Sequence, residues 1–234
     1  MRPSARESRL IAAMDFIFML THNDLTVENC LDVFDEIVDL GIAHVGFKDI
    51  GVGPDILDQL NRRIKAAGAT SYLEVVSLST ADAERAARRA REIGVDCLLG
   101  GTDMTAMREA VSGTEIRCFP FVGRPEGHPT KLRGDGARIA EDCRRSDALG
   151  CSGIDLLAYR AVDCDPLELV REARATLKGR LIVAGSIDSP SRIAALAAEG
   201  VDAFTMGSAA FDRAFLPGEP SLRGQLAAVL AACR

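Results

Sequence analysis

From one end of the chain to the other, apolar runs of four to eight residues alternate with longer amphipathic segments, and this alternation limits the possible folds more than any other feature. A short continuous apolar run reads as a strand buried on both faces, and a helix-length segment between two such runs is the crossover that parallel strands require. Strands are expected to begin near Leu10, Ile42, Ser71, Val95, Glu115, Ile154, Leu181 and Val201, with helices between them, for example over 27–40, 56–67, 81–93 and 137–149. Eight strand-helix units in 234 residues is the size of a compact α/β fold, a single-domain (β/α)8 TIM barrel spanning 1–234. An open doubly wound sheet would show the same alternation, but no G-x-G-x-x-G follows the first strand, which argues against its dinucleotide-binding version. A weak internal repeat supports the count: "LGIAHVGF", "IGVDCLLGG", "LGCSGIDLL" and "EGVDAFTMG" each end a helix at glycine shortly before a strand.

Charge narrows the partners. Net charge is −6, and the 28 basic residues lie scattered among 34 acidic ones with no basic run longer than two, so neither a nucleic-acid partner nor a polybasic membrane anchor is expected. The stretch 10–20, "LIAAMDFIFML", is interrupted by Asp15, lacks a small-residue cleavage site and is too short to span a bilayer. Seven cysteines without a C-x-x-C pair fit reduced thiols and a cytoplasmic location, with no metal site and no cofactor expected. No linker marks a domain boundary. The one long irregular segment, 123–136, "GRPEGHPTKLRGDG", follows the fifth strand and is expected to be a lid over the C-terminal face of the strands.

The sharpest functional signal is "LIVAGSIDSPSRIAALAAEGVDAFTMGSAAF", in which the seventh and eighth strands both end in Gly-Ser. In barrels with phosphorylated substrates, the loops after these strands and a short extra helix present backbone N–H groups to the anion. Gly185, Ser186, Gly207 and Ser208 are therefore the expected phosphate cradle, "AAFDRAF" the extra helix, and Leu222–Ala232 the last helix of the chain. This segment resembles the last two units of the phosphate-binding barrel superfamily, which includes the ribulose-phosphate-binding barrels and the barrel isomerases of histidine and tryptophan biosynthesis. Members read A-G-G-I and then, about twenty residues later, G-S-A; Ser186 replaces the second glycine. The resemblance implies a small phosphorylated substrate, and barrels of this kind often form homo-oligomers, although no interface is visible in the sequence.

The catalytic end is less explicit. Only four lysines accompany 24 arginines, and Lys48, in "VGFKDIG", is the one placed at a strand's C-terminal end. It suits a Schiff-base nucleophile or a cation stabilising an enolate; the bland alternative is a core pair with Asp15. Glu74, in "SYLEVVSL", is the candidate proton shuttle. His22 and Asn23, in "THND", are candidates for substrate hydroxyl or carbonyl groups, although "ND" followed by "LTVEN" also reads as helix-capping sequence. Arg124 and Arg160 are candidates for the substrate's anionic part, Asp155 is assigned a core partner and Asp103 a helix N-terminus. The fifth strand, "EIRCFPFVG", lacks the aspartate of the histidine-pathway isomerases, and "GFKDIGVGPD" lacks the D-x-K-x-x-D signature of the orotidine-phosphate decarboxylases. "GIAHVGFKD" is similar to the lysine-bearing strand of the furan-phosphate synthase of methanofuran biosynthesis, without enough further match to assign that reaction.

These readings converge on an enzyme acting on a small phosphorylated metabolite by lyase or aldolase-type chemistry at Lys48 with Glu74. Two alternatives stand beside it: a sugar-phosphate isomerase using carboxylate acid–base catalysis, and a barrel that binds a phosphorylated ligand without turnover.

Overall fold

A computed structural model describes residues 14–75, 80–127 and 130–234. Eight parallel strands form one sheet: β1 (Asp15–Met19), β2 (His44–Lys48), β3 (Thr70–Val75), β4 (Cys97–Gly100), β5 (Arg117–Phe119), β6 (Gly153–Leu156), β7 (Arg180–Val183) and β8 (Ala203–Met206). Their order is β6-β7-β8-β1-β2-β3-β4-β5, and the two ends meet. Ser152 N–H donates to the Cys118 carbonyl at 2.9 Å, Asp155 N–H to the Pro120 carbonyl at 2.9 Å, and Val122 N–H to the Asp155 carbonyl at 3.3 Å. Pro120 cuts β5 short because it has no N–H for the ladder, so this last junction is the thinnest in the barrel. The fold is a single-domain (β/α)8 barrel.

Around it run α1 (Cys30–Ile37), α2 (Pro54–Ala66), α3 (Thr80–Ile93), α4 (Met104–Ala110), α5 (Gly136–Ala148), α6 (Pro166–Thr176), α7 (Pro190–Ala198), the short α8 (Ser208–Phe211) and α9 (Leu222–Ala232). Among the described residues, no helix is long and apolar enough to cross a membrane. Leu10 lies outside the described residues, and β1 begins at Asp15; the other seven strands begin within two residues of their expected positions.

The offset has a cause. At the helix ends Gly94 and Gly200 take left-handed φ of +68° and +72°. The next amides, Val95 and Val201, then donate back to the Ala90 and Leu196 carbonyls, both at 3.2 Å, before the ladder starts. That is the helix-ending motif that only glycine adopts cheaply, and it explains the repeat.

Alternation along the strands divides the core. Phe18, Val45, Leu73, Leu98 and Ile154 pack outward under the helices, while Ile17, Met19, Tyr72, Cys97, Leu99, Phe119 and Ile182 fill the barrel. The N-terminal end of the barrel is closed by polar contacts: Arg180 donates to Asp15, His44 Nε2 lies 3.4 Å from Asp15, and the Tyr72 hydroxyl bonds His44 Nδ1 at 3.1 Å. Asp15 opens β1 and Lys48 closes β2, so the two sit at opposite ends of the barrel, and the expected alternative of a Lys48–Asp15 core pair is not what forms.

The irregular segment is not a loose lid. Arg124–Glu126 and Lys131–Arg133 pair as an antiparallel hairpin. Buried Leu132 bridges to Ala161, and Arg133 bonds Glu126 and Asp163, so the hairpin is pinned along the rim. His128 lies outside the described residues.

Candidate active site

The C-terminal ends of the strands enclose a cavity of about 290 Å³. Lys48 and Glu74 form its floor, Gly185, Ser186, Gly207 and Ser208 one wall, and Arg160 and Asp24 lie between them. Strand register sets the floor. Lys48 stands beside Glu74 and Glu74 beside Leu99, a barrel-filling residue, so both side chains point inward.

Lys48 is 6% exposed, and its Nζ donates to Asp24 Oδ1 at 2.7 Å and lies 3.2 Å from Glu74 Oε1. Burial alone would push the ammonium down, but the Glu74 and Asp24 carboxylates outweigh it and hold Lys48 above its ordinary value. Lys48 is therefore a cation in the unliganded barrel.

The partner Asp24 was not singled out by sequence reasoning. His22 pairs with Leu25 across the short strands Thr21–His22 and Leu25–Thr26, which leaves Asn23 and Asp24 as a two-residue hairpin turn. Their φ values of +49° and +62° fit the type I′ turn, whose two central positions both need positive φ and accept Asn and Asp more readily than most residues. The "ND" pair thus makes a hairpin rather than a helix cap, and α1 starts only at Cys30. Below the turn, the Thr26 hydroxyl accepts from Lys48 N–H and donates to the Lys48 carbonyl, both at 2.8 Å, which locks the lysine's backbone.

The hairpin turns the expected substrate-binding pair away from the cavity. His22 Nε2 bonds Asp212 Oδ1 at 2.8 Å, and exposed Asn23 gives its backbone N–H to Ser208 Oγ at 3.2 Å. Arg124 is exposed on the rim hairpin and does not line the cavity, which that hairpin reaches through Thr130. Arg160 does line it. Its guanidinium packs on Gly185, where an added Cβ would meet Nε at 2.4 Å, and its Nη2 lies 3.8 Å from Asp24 Oδ1.

The four Gly-Ser residues converge as a set. Gly185 and Ser186 both take left-handed φ, +77° and +57°, and Arg192 holds the Ser186 carbonyl. A glycine at position 186 would meet no strain there, whereas Ser186 does. At Gly207 a Cβ would lie 2.6 Å from Thr21 Oγ1 and 2.8 Å from the Thr21 carbonyl, so only glycine lets β8 end against the first strand's exit. Gly207 leads into α8, the extra helix.

Asp155 departs from the role expected of it. It is the third of four residues in β6, fully buried beside barrel-filling Ile182, and among the described residues neither carboxyl oxygen has a hydrogen-bond partner. No core partner forms among the described residues. Asp103, by contrast, caps α4 by accepting from Ala106 N–H at 3.0 Å. Among the described residues no cluster of His, Cys, Asp and Glu is arranged to hold a metal ion.

No protein-family model matches the sequence, and no curated protein matches it. Solved structures do match in shape. One described as native KDPGal superposes with a TM-score of 0.66 at 13% identity, covering 94% of this chain and 95% of its own. A mutant tryptophan synthase alpha-subunit from a hyperthermophile, Pyrococcus furiosus, gives 0.67 at 13% identity, covering 93% and 98%. The tryptophan synthase complex of the same organism gives 0.65, again at 13%. At that identity the likeness shows the fold alone, and it spans the barrel from end to end.

Proposed function

We propose that the protein is an enzyme acting on a small phosphorylated metabolite, with carbon–carbon lyase chemistry at Lys48. The observation that carries this reading is the convergence of both Gly-Ser pairs with Lys48 and Glu74 on one cavity. The phosphate binds at the amides of Gly185, Ser186, Gly207 and Ser208, flanked by Arg160, and the substrate's carbonyl reaches Lys48. The KDPGal and tryptophan synthase barrels of similar shape agree with such chemistry on this fold.

Lys48 must first lose a proton. Glu74, 3.2 Å away, accepts it, and the free amine then adds to the carbonyl carbon. Glu74 returns that proton to the adduct's hydroxyl, which leaves as water and gives an iminium; the iminium takes up the electron pair of the carbon–carbon bond as that bond breaks, forming an enamine, while the hydroxyl on the departing carbon becomes a carbonyl and gives its proton to Glu74. A second reading, favoured by the cationic state of Lys48, keeps the ammonium as a charge that polarises the carbonyl while Glu74 moves a proton between carbons, as in an isomerase.

Borohydride reduction in the presence of a panel of aldose and ketose phosphates separates the two. Stable mass addition to the Lys48 peptide, suppressed by inorganic phosphate, is the expected result. A compound that turns over without labelling Lys48 overturns the lyase mechanism in favour of the isomerase.

A further inference from the structure

One polar side chain of the cavity has no task in the mechanism above. Thr205 lies in β8 beside barrel-filling Ile17 of β1, so its side chain faces the barrel interior, one inward position before Gly207. It lines the cavity at only 5% exposure, and among the described residues its hydroxyl makes no hydrogen bond. A hydroxyl so placed takes its partner from whatever fills the cavity. The cavity's other buried threonine, Thr21, has its hydroxyl against Gly207 and so belongs to the phosphate wall.

Charge sets a second condition. Among the described residues, Asp24, Glu74, Asp188 and Asp212 face the cavity against two cations, Lys48 and Arg160. Arg192 holds Asp188 at 2.7 Å and His22 holds Asp212 at 2.8 Å, so the carboxylates that bear on the reacting end are Asp24 and Glu74. Both already draw on Lys48, at 2.7 and 3.2 Å. Arg160 packs on Gly185 at the phosphate wall and stands 3.8 Å from Asp24. An acid group arriving beside Lys48 would meet two carboxylates that share one ammonium, and no further cation among the described residues lining the cavity would neutralise it.

We propose that the cavity selects a hydroxylated phosphate ester whose only acidic group is the phosphate: Thr205 exchanges a hydrogen bond with a hydroxyl between the phosphate and the carbonyl end, and Asp24 and Glu74 keep a carboxylate away from Lys48. This deepens, and rests on, the reading of the Gly-Ser pairs as the phosphate cradle. Only β1 separates β8 from β2, so the two strands stand roughly 10 Å apart, two strand spacings, and a short carbon chain laid between cradle and lysine passes the wall that carries Thr205. Short aldose and ketose phosphates satisfy both conditions, whereas phosphorylated 2-oxo acids fail the second.

The test is 31P NMR titration of the whole protein with three esters that lack a carbonyl, so that binding is read without turnover. They are racemic glycerol 3-phosphate; racemic 3-phosphoglycerate, in which a carboxylate replaces the terminal CH2OH; and propane-1,3-diol monophosphate, which lacks the middle hydroxyl. Inorganic phosphate is titrated alongside. The wild-type protein should bind glycerol 3-phosphate roughly tenfold more tightly than either of the other two esters. Thr205→Val should abolish the preference over the diol phosphate, while the preference over 3-phosphoglycerate and the affinity for inorganic phosphate persist. Thr205→Ser, which keeps the hydroxyl, should retain both preferences. A threonine with a purely structural role would shift all the affinities together or none of them. Equal affinity for glycerol 3-phosphate and 3-phosphoglycerate, or a preference for the middle hydroxyl that survives Thr205→Val, overturns the proposal and leaves the cradle standing. Absence of inorganic phosphate binding is a different result: it removes the cradle, and this proposal with it.

Discussion

Replacing Asp155 by Asn changes how stability depends on pH, and the size of the change follows from where the residue sits. Its carboxyl is fully buried without a hydrogen-bond partner among the described residues, and burial raises its pKa well above that of an unfolded aspartate. Over the interval from about 4, where the unfolded group titrates, up to the raised folded value, the folded protein binds one proton more than the unfolded chain. Wild-type stability therefore falls as pH rises through that interval, by about 1.4 kcal/mol per pH unit from this group alone. Asparagine does not titrate, so Asp155→Asn lacks that slope while every other group contributes alike to both proteins. Urea unfolding at several pH values above 4.5 measures it: the variant should gain on the wild type by about 1.4 kcal/mol with each unit until the folded value is passed. Parallel stability curves would show that Asp155 is ionised in the folded barrel, and the reasoning would fail.

Other substitutions probe separate parts of the structure. Gly207→Ala, whose Cβ would lie 2.8 Å from the Thr21 carbonyl, should weaken inorganic phosphate binding at least tenfold by 31P NMR titration while leaving the circular dichroism spectrum intact. Ser186→Gly relieves a left-handed φ of +57°; against the roughly 1–2 kcal/mol cost of that conformation stands the chain entropy of glycine, so unfolding should show a gain of up to about 1 kcal/mol. Asp15→Ala removes the partner of Arg180 and His44 at the closed end, and should cost about 1–3 kcal/mol in urea without altering phosphate affinity. The Cys118 thiol and the Ser146 hydroxyl lower the Cys151 thiol to about 7, so timed alkylation at neutral pH with peptide mapping should find Cys151 modified before the buried Cys30, Cys97, Cys118 and Cys143.

The barrel was readable from the sequence because each unit repeats the same physics: an amphipathic helix, a glycine in the left-handed region, and an apolar strand. The two Gly-Ser pairs were readable because backbone approach demands glycine at strand ends, whichever side chains surround them. Lys48 stood out by scarcity and Glu74 by breaking an apolar strand. Asp155 breaks a strand in the same way, in "GIDLLAY", but whether such a carboxylate meets a cation depends on residues far away in sequence, and among the described residues none bonds it. Asp24 was hidden by turn chemistry. "ND" suits both a helix cap and a type I′ turn, and the choice is made by Thr26, whose hydroxyl docks on the Lys48 backbone 22 positions along the chain. That docking turns His22 and Asn23 outward and Asp24 inward.

The weak junction between β5 and β6 has a dynamic consequence. Backbone hydrogen bonds open most readily where the ladder is thinnest, and at Pro120 one donor is missing altogether. Asp155 sits on the strand that forms this junction, giving its amide to the Pro120 carbonyl and receiving the Val122 amide on its own. Brief parting of the two strands therefore bares the Asp155 backbone, and deuterium exchange at the amides of Val122, Ser152 and Asp155 reports how often the barrel opens there.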